Sequence, residues 1–231
     1  MILRFVFFIF FSSCLGYSAV PDQMVTPPLR HLHFSKPESR KVQGPPHEQK
    51  KQLIILDAGH GGTEFGARVP SLIEKKIALI TTLLTKKCLA EMGYRIILTR
   101  SRDVTISLPK RVAIANKSKA DLFVSIHYNA SRAKEAKGIE IFYYPNGEPQ
   151  RSRSSRLLAQ SILGELLDQT RALSRGVKQG NHHVTRESTV PAVLVEGGFI
   201  TNAEERSLLR DRSYLEKIAR GIAMGIDRYL K

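Results

Sequence analysis

The sequence predicts an α/β fold with a mostly parallel central sheet and helices on both faces. Short, continuously apolar runs of strand length alternate along the chain with longer stretches whose apolar residues repeat every three or four positions. This alternation is typical of strands joined by crossover helices, which form parallel sheets. The 231 residues suit one such domain rather than two large ones, and 42% of them are hydrophobic, which provides a core.

In the first half of the domain, strands and helices are predicted in strict alternation. Residues 53–56 are uniformly apolar and predict a short buried strand. A helix is predicted over residues 75–92, and its apolar stripe comprises Ile77, Ile80, Leu84 and Cys88. The next predicted elements are a strand over residues 94–99, a helix over 108–116 and a strand over 122–127.

The second half continues the same pattern and ends on two helices. A strand over residues 138–144 is predicted from its aromatic and Ile content. A helix over 154–168 follows from the spacing of Leu158, Ile162 and Leu166. The last predicted elements are a buried strand over residues 192–195 and helices over 203–210 and 214–229.

The first 18 residues predict a secretory signal. Arg4 gives a basic start, residues 5–11 form an apolar stretch too short to span a bilayer, and small residues follow. The mature chain is therefore expected in the periplasm or cell envelope. Lipid attachment at Cys14 is a less favoured alternative, because Phe11 stands where a lipoprotein signal usually has an aliphatic residue.

Residues 19–51 predict an extended linker, because they contain several prolines and no sustained apolar period. The folded domain is therefore expected over residues 52–231. Only Cys14 and Cys88 are present, too few for a disulfide framework, and Cys88 is expected to be a small core residue.

The basic charge of the chain predicts an anionic partner. Lys and Arg number 36 against 21 Asp and Glu, which gives a net charge of +15, and most of the excess falls within the domain. Export and the lack of a basic motif interleaved with aromatics argue against nucleic acid. An acidic polymer remains, and association with an anionic membrane surface stays open.

Three polar residues follow buried strands and predict a metal site. His60 comes shortly after the strand at 53–56, and His127 and Glu196 follow the strands at 122 and 192. Ligands of α/β sheets bind at the carboxyl ends of strands, so these side chains should share one rim. Two imidazoles and a carboxylate are the ligands of catalytic zinc sites. The glycines around His60 lack the spacing of nucleotide-binding loops.

The role of Glu74 stays open on its residues alone. Ser71 and Glu74 have the Ser-x-x-Glu spacing of a capping box, in which the glutamate would bond a free backbone N–H at the start of the helix. The same carboxylate could instead be a third metal ligand.

Several motifs together resemble a known family. They occur in order at residues 55–62, 71–76, 98–103, 108–116, 120–130 and 191–202. In this order they resemble successive blocks of the zinc-dependent N-acetylmuramoyl-L-alanine amidases, which split septal peptidoglycan. The resemblance implies that His60, Glu74 and His127 bind Zn²⁺ and that Glu196 is catalytic, while Glu74 is still expected to cap the helix before the metal binds. Glu64 departs from the family pattern, which more often has Asp near this position.

The resemblance implies hydrolysis of the amide bond between the lactyl group of N-acetylmuramic acid and L-alanine, in cell-wall remodelling and cell separation. The expected substrate is peptidoglycan or its lipid-linked precursor. Alternatives are another zinc peptidoglycan hydrolase, either a carboxypeptidase or an endopeptidase, or a non-catalytic wall-binding module.

Two Ser-x-x-Lys sequences, Ser107 with Lys110 and Ser131 with Lys134, also match a motif of penicillin-binding enzymes. They occur without the companion motifs, and Ser107 is expected to cap the helix that begins at residue 108. A penicillin-sensitive side activity stays open on the sequence alone.

The chain also resembles the short form of the family. Several division amidases carry an inserted helical segment that plugs the zinc site until an activator displaces it. Here the stretch between residues 144 and 192 predicts only one helix, whose apolar stripe suits it to covering the sheet. An open zinc site is expected, and no obligatory activator.

Overall fold

The computed structural model describes residues 52–231. The predicted signal, the linker and Cys14 lie outside these residues. Within residues 52–231 there are eight strands: β1 Leu53–Ala58, β2 Arg68–Val69, β3 Leu72–Ile73, β4 Arg95–Leu98, β5 Leu122–Asn129, β6 Ile139–Tyr143, β7 Ser174–Gln179 and β8 Ala192–Phe199. Six helices accompany them: α1 Glu74–Glu91, α2 Leu108–Ser118, α3 Pro149–Thr170, α4 His183–Arg186, α5 Ala203–Leu209 and α6 Arg212–Leu230.

Six of the strands form one sheet in the order β4-β1-β5-β8-β6-β7, and β2 pairs with β3 separately. The first four strands of this order are parallel to one another. Strand β6 runs antiparallel to β8, and the edge strand β7 runs parallel to β6. The prediction of a mostly parallel sheet is confirmed.

The two faces of the sheet are covered differently. On one face, Val193 and Val195 of β8 pack in a large core with apolar residues of α1, α3 and α6. On the other face, Phe123 and Leu194 pack in a smaller core with α2 and α4. Because side chains alternate along a strand, β5 and β8 contribute to both cores. The prediction of helices on both faces is confirmed.

Each predicted strand and helix is present within a few residues of its predicted bounds. Ser107 lies at the N-cap of α2, as expected, but its side chain makes no capping hydrogen bond. Cys88 is half-buried and packs against the large core. The β2–β3 pair, strand β7 and helix α4 were not predicted. Among residues 52–231, no helix is long and apolar enough to cross a bilayer.

Candidate active site

A row of polar side chains crosses the sheet on the face of the smaller core. His127 of β5 is in register with Glu196 of β8, and Glu196 is in register with Glu140 of β6. His127 and Glu196 lie in the carboxyl-terminal halves of β5 and β8, and Glu140 lies near the start of β6, which runs antiparallel to β8. The predicted convergence of His127 and Glu196 is therefore present.

His60 and Glu74 approach this row from outside the sheet and meet His127. The Oε1 atom of Glu74 lies 2.9 Å from Nε2 of His60 and 2.9 Å from Nδ1 of His127. One potential ligand atom from each residue lies within 4.8 Å of the others. Two imidazoles and one carboxylate are a donor set that suits zinc, with room for a fourth ligand. His60, Glu74 and His127, which together form the metal-ligand cluster, therefore fit a zinc ion.

The carboxylate of Glu74 is turned toward the histidines because the start of α1 needs no capping side chain. The backbone N–H groups of Glu74 and Lys75 donate to carbonyls of the preceding loop, on Ala67 and Phe65.

The capping box predicted from Ser71 and Glu74 is absent. Ile73 is the N-cap and makes no capping side-chain hydrogen bond, and the hydroxyl of Ser71 donates to the carbonyl of its neighbour Pro70. The capping-box interpretation, including a cap before the metal binds, is wrong.

His60 is held in place from its far side. Its Nδ1 lies 2.7 Å from Oε1 of Glu64, which leaves Nε2 directed toward Glu74. A carboxylate behind a metal-ligating histidine fixes the orientation of the ring and increases its basicity. Glu64, which departs from the family pattern, therefore contacts a candidate metal ligand. Gly66 has a φ of +67°, and a Cβ there would clash with both His60 and Glu74.

Two buried arginines hold the loop that carries His60. Arg100 donates to the carbonyls of Ala58 and Gly59 at 2.9 and 2.7 Å. Arg111 donates to the carbonyl of His60 at 2.7 Å and pairs with the buried carboxylate of Asp57 at 2.6 Å. Their hydrogen bonds replace the regular secondary structure that this loop lacks. Neither arginine was predicted to have a role, although both lie in the motifs that resemble the family.

The charges of the cluster shift the pKa of its members in opposite directions. Burial alone would raise the pKa of Glu74, but hydrogen bonds from His127 and His60 outweigh it and hold this pKa well below its usual value. Burial alone would lower the pKa of His60, yet Glu74 and Glu64 outweigh it, and the pKa is raised. The two shifts show that Glu74 favours its ionised form and that its charge attracts a positive charge to the position between the rings.

Glu196 differs from the other acids of the site because one of its oxygens is unsatisfied. Its Oε2 is buried and, within the part of the chain that the structure describes, has no hydrogen-bond partner. Burial raises the pKa of Glu196 well above the usual range, and the charges of Glu74 and Glu140 raise it further. A buried acceptor of this kind is costly unless a ligand completes it. This oxygen therefore keeps an unused capacity to accept a hydrogen bond from a bound water or substrate.

A cavity of about 300 Å³ adjoins His60 and His127 of the metal-ligand cluster. A histidine for which no role was predicted also lines it. His182 lies in its wall and meets Phe142 edge to face, with ring centroids 5.0 Å apart. Burial and the nearby His127 lower its pKa, so it favours the neutral form. It precedes a four-residue helix and belongs to no periodic pattern, so the sequence carried no signal for it.

The two Ser-x-x-Lys sequences do not form a reactive pair. Within residues 52–231, no hydrogen bond joins Ser107 to Lys110 or Ser131 to Lys134, and the hydroxyl of Ser131 accepts from the backbone of Ala133. A serine nucleophile needs a base within hydrogen-bond reach. The structure therefore gives no support for penicillin-sensitive chemistry.

Comparison with known proteins connects this geometry to a family. Residues 54–228 match the family model described as N-acetylmuramoyl-L-alanine amidase. The chain belongs to this family. It is 35% identical to the amidase CwlM of Bacillus licheniformis over 177 residues, which are 76% of this chain and 67% of CwlM. The family assignment agrees with the resemblance seen in the sequence.

Solved structures of amidases share the fold. The catalytic domain of CwlV from Bacillus (Paenibacillus) polymyxa superimposes with a TM-score of 0.72 at 35% identity, covering 78% of this chain and 98% of that chain. The CwlD amidase of Clostridioides difficile, solved in complex with the GerS lipoprotein, gives 0.73 at 34% identity over 78% and 98%. The protein is an N-acetylmuramoyl-L-alanine amidase, which hydrolyses peptidoglycan amide bonds in cell-wall remodelling.

Proposed function

We propose that this amidase works as a zinc enzyme in which His60, Glu74 and His127 hold the metal and Glu196 is the catalytic residue. The observation that carries the proposal is the convergence of three ligand atoms within 4.8 Å, with an unsatisfied glutamate on the neighbouring strand. The bond cleaved is the amide that joins the lactyl group of N-acetylmuramic acid to L-alanine.

Glu196 moves the proton in this mechanism. Its free Oε2 accepts a proton from the attacking water and then donates it to the amide nitrogen, which leaves as the amine of L-alanine. A bound zinc ion would polarise the carbonyl and make the water more acidic. The basicity of His60 is supported by Glu64, and Arg100 and Arg111 keep the loop in place while charge changes at the site.

The substrate is peptidoglycan or its lipid-linked precursor, acted on outside the cytoplasm during cell separation. The signal-like residues 1–18 support export to the periplasm or cell envelope, and lipid attachment at Cys14 is the alternative route to the same compartment. The excess of basic side chains supports an acidic polymer as substrate, since stem peptides carry free carboxylates.

A digestion experiment tests the reaction and the metal together. Purified protein is incubated with peptidoglycan, with a chelator, and with chelator followed by Zn²⁺, and the released groups are identified by mass spectrometry. We expect a newly exposed L-alanine amine in the first and third samples only.

Each alternative activity gives a different product. Release of D-alanine or a new amine within the stem peptide would identify a carboxypeptidase or an endopeptidase. Binding to the wall without any new amine would identify a non-catalytic module. Full activity in the presence of the chelator would contradict the zinc mechanism.

A further inference from the structure

A pair of basic side chains lies next to the row of polar side chains formed by His127, Glu196 and Glu140. The edge strand β7 carries Arg175 and Lys178, and both reach the carboxylate of Glu140 on β6. Nε of Arg175 is 2.8 Å and Nζ of Lys178 is 2.6 Å from the same oxygen, Oε2. The other oxygen of Glu140 accepts from Nδ2 of Asn129 at 2.7 Å. Because Glu140 is in register with Glu196, this basic pair is the next charged feature across the sheet.

The charges of the group do not cancel. One buried carboxylate faces two cations, so the group keeps a net charge of +1. The side chain of Glu140 is 6% exposed, whereas those of Arg175 and Lys178 are 33% and 39% exposed. The surplus positive charge is therefore accessible to solvent and to ligands.

Aromatic contacts restrict both cations. The guanidinium of Arg175 lies over the ring of Phe199 at 4.9 Å, and the ammonium of Lys178 lies 6.0 Å from the ring of Phe142. These contacts and the shared carboxylate limit the rotamers of two long side chains. A cationic group restricted in this way loses less entropy when it binds an anion.

The position of the pair fits one part of the substrate. Glu196 delivers its proton to the leaving nitrogen, so the stem peptide begins beside Glu196 and the next polar features across the sheet are Glu140 and its cations. Neighbouring strands are about 4.8 Å apart, which places β7 about 10 Å from β8. A peptide advances about 3.5 Å per residue, and the Arg and Lys side chains span the remaining distance.

We propose that Arg175 and Lys178 bind the free α-carboxylate of the second stem-peptide residue and make the amidase selective for stems in which this group is not amidated. The inference rests on the proposed function, since it places the scissile amide at Glu196. Glu140 holds both cations through Oε2, Asn129 holds Glu140 through Oε1, and neither residue contacts the substrate.

The test compares three soluble glycan tripeptides with amidated C-termini. The first has γ-D-glutamate at position two and lysine at position three. The second has D-isoglutamine instead, which removes the only free carboxylate. The third combines D-isoglutamine with diaminopimelate, so that a carboxylate is present only at position three. For the unchanged protein we expect kcat/KM to be about tenfold higher for the first substrate than for the other two.

Substitution of Lys178 tests the assignment without leaving Glu140 unpaired. In Lys178→Gln, Arg175 still neutralises the buried carboxylate, and we expect the ratio of kcat/KM for the first and second substrates to fall from about tenfold toward one. The conservative Arg175→Lys should keep a larger ratio than Arg175→Gln. Lys87→Gln, which changes an exposed cation on α1, should keep the full ratio. Both substrates are measured on one sample, so partial unfolding cancels.

Different results would overturn the carboxylate site and the proposed amidase function. Equal cleavage of the first and second substrates by the unchanged protein, or an unchanged ratio in Lys178→Gln, would overturn the carboxylate site while the amidase chemistry stands. A high rate on the third substrate would move recognition to position three and also overturn it. If none of the substrates releases an L-alanine amine, the proposed function fails.

Discussion

Each residue of the metal-ligand cluster is fixed by a contact outside the cluster that does not use its candidate ligand atom. Glu74 accepts the backbone N–H of Ala67 at 2.7 Å through Oε2, so Oε1 remains for the cluster. Glu64 holds one nitrogen of His60 and leaves the other. The ring of His127 packs against Gly59, where a Cβ would clash with it. These contacts hold the three candidate ligand atoms close together.

Substitutions at His60 and Glu196 should separate the loss of metal binding from the loss of proton transfer. We expect His60→Ala to lose both zinc and activity, because two ligands hold zinc far more weakly than three. Glu196→Ala should keep about one zinc per chain and lose activity by a factor of about 10² to 10⁴, the usual contribution of a general acid–base group. Metal content and L-alanine amine release are measured on the same preparations. Equal loss of metal in both variants would show that Glu196 is a ligand.

The role of Glu64 is tested through metal affinity. Glu64→Gln removes the charge behind His60 and should weaken zinc binding by about tenfold, the lower end of the effect of such supporting residues. Competition with a fluorescent zinc chelator measures this affinity. Glu216→Gln, which removes an exposed carboxylate on α6, is the matched control and should bind zinc as the unchanged protein does. Unchanged affinity in Glu64→Gln would mean that the contact has no supporting role.

Among the elements, the sequence predicted those whose stability comes from their own apolar residues. β1, β5 and β8 each begin with a short apolar run, and polar residues that end or follow these strands proved to be close together. β7 reads Ser-Arg-Gly-Val-Lys-Gln and contains no such run, because it is an edge strand held mainly by backbone pairing with β6. The sequence alone therefore could not predict that Arg175 and Lys178 lie beside the site. The capping-box error has a similar origin, since the loop that satisfies the start of α1 is nonlocal.

The contact between α3 and α6 depends on the absence of a side chain at Gly225. A Cβ there would clash with the backbone of Ile162 on α3, so Gly225→Ala should force the helices apart and cost about 1–3 kcal/mol of unfolding free energy. Gly164→Ala, on the open side of α3, is the control. Nothing lies within 4 Å of a Cβ there, and the change should stabilise the protein by up to about 1 kcal/mol.

Urea unfolding of both glycine variants measures the two effects. Opposite signs are expected for the same chemical change at two helical positions. No loss of stability in Gly225→Ala would contradict the close packing of these helices, and a loss in Gly164→Ala would contradict the open space beside that position.

At the scale of the whole molecule, one face of the sheet holds the main apolar core and the other holds the polar groups of the site. The face under α1, α3 and α6 is a continuous apolar core, in which Leu158, Ile162 and Leu166 of α3 are fully buried. The opposite face carries His127, Glu196 and Glu140. The stabilising core and the reactive groups are thus separated by the thickness of one sheet. Substitutions in the large core should therefore change stability before they change the chemistry of the site.

This separation bears on whether the enzyme needs an activator. The sequence between β6 and β8 forms α3, β7 and α4. The apolar stripe of α3 faces the large core, on the side of the sheet away from the metal-ligand cluster. Within residues 52–231, His60, Glu74 and His127 form the only cluster of metal-ligating side chains, and no fourth such group of this part of the chain joins it. An internal plug over the site is therefore not expected.

We predict that protein lacking residues 1–18 cleaves peptidoglycan without a partner. The rate should increase in proportion to enzyme concentration and change by less than about twofold when envelope proteins of the same cells are added, because no segment of residues 52–231 has to leave the site first. Release of L-alanine amine is measured with and without the additions. The catalytically impaired Glu196→Ala, measured with the same additions, shows whether the extract itself contributes amidase activity. Stimulation of tenfold or more in the unchanged protein alone would mean that a closed state predominates, since a partner can shift only an equilibrium that already exists.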